Sequence, residues 1–422
     1  MLLALAAAPV AMALAGGTTA HTPAPATAFV PPNPAASRSP IRWSGPWTGP
    51  SSSASPSASP SPSPSVTPRA PADSSAGRAG ANADGFTLVA TGDLLIHGPV
   101  AARALKAGGG KHYDFRPMLT RVRKIIASAD LALCHIETPL AADDRDITGY
   151  PVFNTPRELA GAVAWAGYDG CSTASNHSVD RGLAGVRDTL RALDAHHLAH
   201  AGTARSAKEA RRLELHSVKG AVVAHLSYTY GTNGIPVPSG APWSVNVISV
   251  PAILADARRA RAAGASFVVV SVHWGEEYRS APTATQLSQA RTLLASPDVD
   301  LLLGGHVHVQ QPVARIGDKY VVFGMGNLLS NQSPAAGLAP QTQDGAIVGV
   351  HVVRHDGRWV ADRVTITATY CEIGPFTVWP VTRALADPST RATLRPQLRA
   401  SLARTRAIHA SLKGHRHDAS VL

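Results

Sequence analysis

The sequence predicts a layered α/β fold, on three observations. Apolar strand-like runs alternate with helix-like segments, an uninterrupted series of strand patterns follows, and ligand-type residues recur at the ends of the early runs. The runs in question are Phe86–Gly92, Leu131–Ile136, Gly170–Ser175, Phe267–Val272 and Asp300–Gly305. Between them, helices are expected over Pro117–Ser128, Pro156–Ala166, Leu183–Ala195, Pro251–Ala263 and Thr285–Ala295. From Lys319 the pattern changes to Lys319–Phe323, Gly345–Arg354 and Arg358–Ala368, with His355-Asp356-Gly357 as a hairpin turn. Pro396 can start a last helix, with Leu398, Leu402, Ile408 and Leu412 as its apolar stripe and Gly414 as its stop. That helix is expected to dock on the domain. No internal repeat is visible.

Each early run leads into a residue that can hold a metal: Asp93, Glu137, Asn176 with His177, His273, and His306 with His308. In α/β sheets reactive groups collect at the carboxyl ends of strands, where an open crevice lies. Taken singly, each has an ordinary reading. Asp93 after Gly92 suits a turn or an N-cap, Glu137 a cap, Asn176 a turn, and His273 beside Trp274 a packed core position. A His-x-His alone is weak, because period two on a strand puts both rings on one face with or without a metal. Five strand ends converging on one point favour the metal site. Carboxylate, amide and imidazole donors without a thiolate suit Mn, Fe, Zn or Mg and disfavour structural zinc.

At this point the chain resembles the CapA-type capsule or poly-γ-glutamate synthesis proteins of the calcineurin-like metallophosphoesterase superfamily. The resemblance covers residues 86–412 and rests on six blocks: Thr91-Gly92-Asp93, His135-Ile136-Glu137-Thr138-Pro139-Leu140, Ala174 to Gly182, Val272 to Tyr278, Gly304 to Gln310, and Gly324-Met325-Gly326-Asn327. It implies a four-layer αββα sandwich of the metallophosphoesterase type, to which composition and charge add a disordered N-terminal spacer before it and a basic C-terminal helix after it. It further implies two divalent metal ions. Glu137 would bridge them, Asp93 and His308 would hold one, and Asn176, His273 and His306 the other. His177 would be an outer-sphere acid oriented by Asp180.

Two departures from the superfamily pattern stand out. Leu95 occupies the second position of the usual Asp-x-His, so His97 is a candidate replacement ligand. In the second block Glu137 replaces the usual superfamily Asp, as in CapA members, and His135 stands where Asn is expected.

The chain has 422 residues, 45% of them hydrophobic, enough for one large core plus extensions. The expected organisation is a signal peptide or short apolar export segment over 1–20, a Pro/Ser/Ala-rich linker over 21–84, a CapA-like domain over 85–380 and a basic helix and tail over 381–422. Met1–Ala15 is almost purely apolar, too short for a spanning helix of about 20 residues, and Ala13-Leu14-Ala15 is a candidate cleavage site. The linker cannot bury enough apolar area to offset its ordering entropy and is expected to be a solvated spacer. The apolar segment predicts a secreted or envelope-associated, extracytoplasmic protein; the spacer suits that and equally a cytosolic disordered tail.

Charge is concentrated at the ends. Residues 1–85 carry four Arg against Asp73 and Asp84, residues 381–422 carry eight Lys or Arg against Asp387 and Asp418, and only +3 of the formal +11 remains between. The basic balance therefore says little about the site. No aromatic-rich basic groove for nucleic acid is present, whereas the tail could meet anionic envelope polymer, a membrane surface or the wall. Three cysteines, an odd number, exclude a fully closed disulfide framework, and Cys134 and Cys171 read as small buried hydrophobes.

Two functional classes follow. One is a metal-dependent hydrolase cleaving a phosphoester or amide of an anionic envelope polymer, with Tyr228, Tyr230, Glu277 and Asn327 as substrate-binding candidates. The other is a non-catalytic accessory component working with polymer synthase or export subunits. The chain shows no nucleotide-binding loop or spanning helix, so it is not expected to ligate with ATP or export polymer itself.

Overall fold

The computed structural model describes residues 85–412 and 419–422. The expected export segment, the linker and the helix stop at Gly414 lie outside the described residues.

Strand β1 (Gly85–Leu94) is followed by helices α1 (Gly98–Ala107) and α2 (Arg116–Ile126), then β2 (Leu131–Ile136), α3 (Glu158–Ala166), β3 (Gly170–Ser172), α4 (Gly182–Ala195) and β4 (Ala199–Ala201). Strands β1 to β4 lie side by side and parallel. Parallel neighbours cannot be joined by a tight turn, and the helices supply the crossovers. After α5 (Ala207–Ala210) come β5 (Glu214–Val218), β6 (Ala221–Thr229), α6 (Val250–Ala262), β7 (Phe267–His273), α7 (Ala284–Ala295), β8 (Leu301–Gly305), β9 (Gln310–Ile316) and β10 (Lys319–Met325). These strands make a second sheet in the order β5-β6-β7-β8-β10-β9.

The chain then returns to the first sheet. β11 (Asn327–Leu329) pairs with β1, and β12 (Asp344–His355), β13 (Arg358–Glu372) and β14 (Thr377–Pro380) extend it on the far side of β1. The β12–β13 hairpin turns at Asp356 and Gly357, with φ of 48° and 79°, which suits the positive-φ turn that twisted strands prefer. Helices α8 (Val381–Ala386) and α9 (Arg395–His409) precede β15 (Ala419–Val421), which pairs with β13.

Period-two alternation builds the layers. Phe267 and Val269 of β7 face the inter-sheet core with Phe86, Leu88, Leu301, Leu303, Val348 and Val350. Val268 and Val270 point the other way, onto Ile253 and Ala257 of α6 and Leu293 of α7. Leu119, Val122, Leu159 and Leu190 cover the outer face of the first sheet. The result is the expected helix–sheet–sheet–helix stack. Each such side chain contributes roughly 1.5–3 kcal/mol by leaving water, so Leu303→Ala at the centre should cost about 2–5 kcal/mol.

The expected helices match α2, α3, α4, α6 and α7 to within two residues at each end. Two readings need correction. Cys134 and Cys171 are not separate buried thiols: they are partners across the parallel β2–β3 register, 4.4 Å apart at Cα, and form a disulfide, leaving Cys371 free. The odd count left one cysteine over without forbidding a pair. The buried face of α9 also differs from the apolar stripe, running through Leu398, Ser401, Thr405 and His409. Thr405 and His409 are bonded, while Ser401 Oγ and His409 Nδ1 have no hydrogen-bond partner. Gln310 Nε2 donates to Thr405 Oγ1 at 3.0 Å, His409 Nε2 lies 3.1 Å from Gln310 Oε1, and Arg404 pairs with Asp344.

Candidate metal centre

The site lies where the carboxyl ends of β1, β2 and β3 in one sheet meet those of β7 and β8 in the other. Asp93 is still within β1, Glu137 directly follows β2, Asn176 lies four residues past β3, His273 ends β7, and His306 directly follows β8. Two glycines permit the approach. A Cβ at Gly92 would sit 1.8 Å from Gly326 O, and one at Gly305 would sit 2.8 Å from Asp93 Oδ1. Any side chain at Gly305 would therefore enter the centre itself.

His306 and His308 do not sit on a strand. Both adopt left-handed backbone, φ 89° and 57°, conformations that cost energy for residues with a Cβ and persist only when neighbours enforce them. Neighbouring bonds do so here: Tyr278 N donates to Val307 O at 2.7 Å, and Asn327 Nδ2 donates to His308 O at 3.3 Å.

The polar atoms face one another. His308 Nδ1 is 3.1 Å from Asp93 Oδ2 and its Nε2 is 3.6 Å from Glu137 Oε1. His273 Nε2 is 2.8 Å from Asn176 Oδ1 and 3.9 Å from Glu137 Oε1. Three groups each bring one ligand atom per residue within 4.8 Å of one another: Asp93 with Glu137 and His308, Asp93 with His135 and His273, and Glu277 with His306 and His308. Asp93 Oδ1, both Glu137 oxygens and His306 Nδ1 are buried with no hydrogen-bond partner. A buried carboxylate left unpaired is costly. The chemistry of these orphaned donors fits divalent cations, which need such unpaired oxygens and neutral nitrogens.

Electrostatics agree. Burial pushes Glu137 well above the usual carboxylate range, partly opposed by His308. Burial also drives His273 well down and His306 down to about 3, aided by neighbouring imidazoles, so both are neutral donors. For Asp93 and His308 burial acts against the charged form but loses. The hydrogen bond between them holds Asp93 low, and Glu137 and Asp93 raise His308 to about 9. Asp93 is thus countered by His308, while Glu137 resists ionisation without further positive charge beside it.

His177 points away from Asn176, into a pair with Asp180: Nδ1 to Oδ2 is 2.8 Å. The same Asp180 oxygen accepts from Phe153 N at 2.8 Å, and the Phe153 ring packs edge-on to His177 at 4.7 Å. The imidazole is thus fixed with Nε2 free to face the site, 3.4 Å from Asn233 Nδ2.

The remaining candidates divide. Tyr230 stacks on the centre, 4.4 Å from the His306 ring, and exposed Glu277 reaches it. Tyr228 does not reach it. Strand alternation turns it outward to the helical layer, where its hydroxyl donates to Asp256 Oδ2 at 2.7 Å. Asn327 is fully buried and lies 3.2 Å from His308 Nδ1 through Oδ1, so it holds a donor imidazole rather than facing substrate. His97 uses Nδ1 near Leu95 O, at 3.1 Å, and joins none of the ligand groups.

Two site residues were not among the sequence candidates. His135 Nε2 is 3.0 Å from His273 Nδ1 and 3.9 Å from Asp93 Oδ1, with its Nδ1 2.8 Å from Ser172 Oγ. Its position two before Glu137 was the available signal. Asn233 accepts from Asn176 Nδ2 and from the Tyr230 hydroxyl, both at 3.1 Å. It precedes Gly234 and reads in sequence only as a turn.

Fold and site together define a layered α/β protein with a candidate metal centre between two sheets. Residues 87–332, more than half of the chain, match the family described as "Bacterial capsule synthesis protein PGA_cap", and the chain belongs to that family. It is 26% identical over 290 residues to the capsule biosynthesis protein CapA of Bacillus anthracis, spanning 67% of each chain. It is 27% identical over 189 residues to the PGA biosynthesis protein CapA of Bacillus subtilis (strain 168), covering 44% of this chain and 47% of that one. Among solved structures it is similar to a calcineurin-like phosphoesterase from Bacillus subtilis, with TM-score 0.40, 14% identity, and coverage of 76% and 99%. A phosphatase from Mycoplasma pneumoniae matches with TM-score 0.44, 11% identity, and coverage of 68% and 93%. Among the described residues no helix is long and apolar enough to cross a membrane.

Proposed function

We propose that the protein is an extracytoplasmic, metal-dependent hydrolase that cleaves a phosphoester or amide bond in an anionic polymer of the cell envelope. One observation carries this reading: the orphaned oxygens of Asp93 and Glu137 converge with neutral imidazoles beside a separately oriented His177–Asp180 pair. Two divalent ions, which Asp93, Glu137, Asn176, His273, His306 and His308 would hold, would supply Lewis-acid polarisation of the attacked group and ease ionisation of water.

The protein's own residues do the rest. Asp180 holds the Nδ1 proton of His177 and so directs Nε2 toward the leaving group. In the hydrolysis, oxygen from water bonds to the phosphorus or carbonyl carbon and releases one proton to solvent, the bond to the leaving oxygen or nitrogen breaks, that atom takes a proton from His177 Nε2, and the ring regains its proton from solvent. Asn233 sets the angle of Nε2, and Asn327 and His135 fix the rings of His308 and His273.

An oxidising compartment is supported by the Cys134–Cys171 disulfide and by the apolar leader. A second reading, an accessory component of polymer synthesis or export, is supported by the names of the relatives. Turnover of a phosphodiester and a γ-glutamyl amide by the Mn- or Zn-loaded chain tests the choice. Hydrolysis of either, abolished by chelator, is expected. No turnover, together with normal polymer production in cells carrying His177→Ala, would favour the accessory reading.

A further inference from the structure

Two tyrosines stand at the mouth of the centre. Tyr230 is 45% exposed, and its ring lies 4.4 Å from His306 and 6.5 Å from His273, nearly parallel to the latter at 11°. Tyr278 is 39% exposed and lies 6.0 Å from the His308 ring. Its backbone is left-handed, φ 65°, so the loop accepts a costly conformation that places this ring over the site. The polar ends of both rings are tied down: the Tyr230 hydroxyl donates to Asn233 Oδ1 at 3.1 Å, and the Tyr278 hydroxyl accepts from Gln332 Nε2 at 3.2 Å and also bonds the Glu277 carboxylate. The charge that bears on both phenols is negative. After burial, Glu277 is the leading cause that pushes them above their ordinary value, and it is itself exposed beside His306 and His308.

We propose that this mouth seats a neutral sugar ring bonded directly to the reacting phosphoryl group, so that the substrate is a sugar phosphodiester rather than a γ-glutamyl chain. The inference rests on the hydrolase reading above and narrows its substrate. A pyranose offers an apolar C–H face to aromatic rings and hydroxyls to a carboxylate, which matches Tyr230, Tyr278 and Glu277. Glutamyl units carry a carboxylate each and would meet Glu277 with like charge. A nucleobase is also flat, but it sits a sugar away from the phosphoryl group. These tyrosines lie against the donor imidazoles themselves, where the first group beyond the reacting atom must rest.

Binding by calorimetry and turnover by product assay, both with the Mn-loaded full chain, test the proposal. The probes are methyl glucosyl phosphate, methyl glyceryl phosphate, γ-glutamylglutamate and a nucleoside monophosphate. The glucosyl ester should bind about 10-fold tighter than the acyclic glyceryl ester, the scale of two ring contacts. Tyr230→Ala and Tyr278→Ala should each erase most of that preference, whereas Tyr230→Phe and Tyr278→Phe, which keep the rings, should hold it within about 2-fold. Equal binding of ring and acyclic esters by the wild-type chain, or tighter binding of the glutamyl or nucleotide probe, would overturn it. Equal hydrolysis of both esters would leave the hydrolase reading intact and sink this one. Ring preference in binding with no hydrolysis of any probe would overturn the hydrolase reading and, with it, the claim that the sugar ester is a substrate.

Discussion

Two buried clusters of carboxylate and imidazole occupy opposite situations in this molecule. At the edge of the second sheet, Glu214 Oε1 lies 2.8 Å from His216 Nε2 and Oε2 lies 3.2 Å from His225 Nδ1, while His225 Nε2 reaches Ser271 Oγ at 2.9 Å. Both carboxylate oxygens are answered. At the strand ends, Glu137 has neither oxygen answered and Asp93 has one open. The residue types are alike and both clusters are buried, so composition and burial alone do not mark a metal site. Unsatisfied valence does. The edge cluster is a completed internal ion pair that ties β5 to β6, and the central cluster keeps buried donor atoms without hydrogen-bond partners, of the kind that cations take up.

The largest expected effect separates chemistry from structure. His177→Ala should retain metal and fold yet lose roughly 100-fold to 10,000-fold in turnover, with a smaller loss for substrates whose leaving group needs no proton. His225→Ala should change turnover only through stability. Equal losses for good and poor leaving groups would remove His177 from the acid role.

Stability should then move in opposite directions. Glu214→Ala breaks a buried pair and should cost about 3–5 kcal/mol in denaturant unfolding. Glu137→Leu in chelator-treated protein removes an unanswered buried carboxylate and should stabilise by about 1–3 kcal/mol. If both variants destabilise, the contrast between the clusters is wrong.

The pH dependence of the edge cluster sharpens the contrast. Charge from His225 and His216, with their hydrogen bonds, outweighs burial and lowers Glu214 from 4.5 to about 2, while Glu214 likewise raises His216 above 6.5. A lowered carboxylate contributes stability that is full above 4.5 and is lost as pH falls toward 2. A raised imidazole contributes stability that is full below 6.5 and is lost as pH rises through its folded value. The gap between wild type and Glu214→Ala should therefore be widest between pH 4.5 and 6.5 and narrow on both sides. A gap independent of pH would show that packing, not charge, holds the edge.

The smallest effect concerns His97. Its Nδ1 is committed near Leu95 O and burial lowers it to about 4, so His97→Ala should leave metal content unchanged by elemental analysis. Loss of about one ion would restore it as a ligand.

The layers and the convergence of most candidate ligand positions were legible in the sequence because both follow from local pattern. Apolar runs make strands, and residues just past strand ends share an edge whichever way the sheets close. What escaped depended on neighbours in space. Tyr228 was misread because the face it takes follows from the β6 register, and that strand was not among those expected. The disulfide needed Cys134 and Cys171 to be opposite in adjacent strands, which spacing does not reveal. His135 looked like a departure from the family pattern until its ring was seen against His273. Asn233 becomes a site residue only through Asn176, Tyr230 and His177, all distant in sequence except Tyr230.

The central claim, that unanswered valence at the strand ends marks a metal centre, is most directly tested by elemental analysis of the full chain after exposure to Mn and Zn and removal of free metal. The account predicts two ions per chain in wild type, a loss of bound metal in Glu137→Ala, and no loss in Glu214→Ala. A stoichiometry near zero in wild type, or an equal loss in both variants, would contradict it.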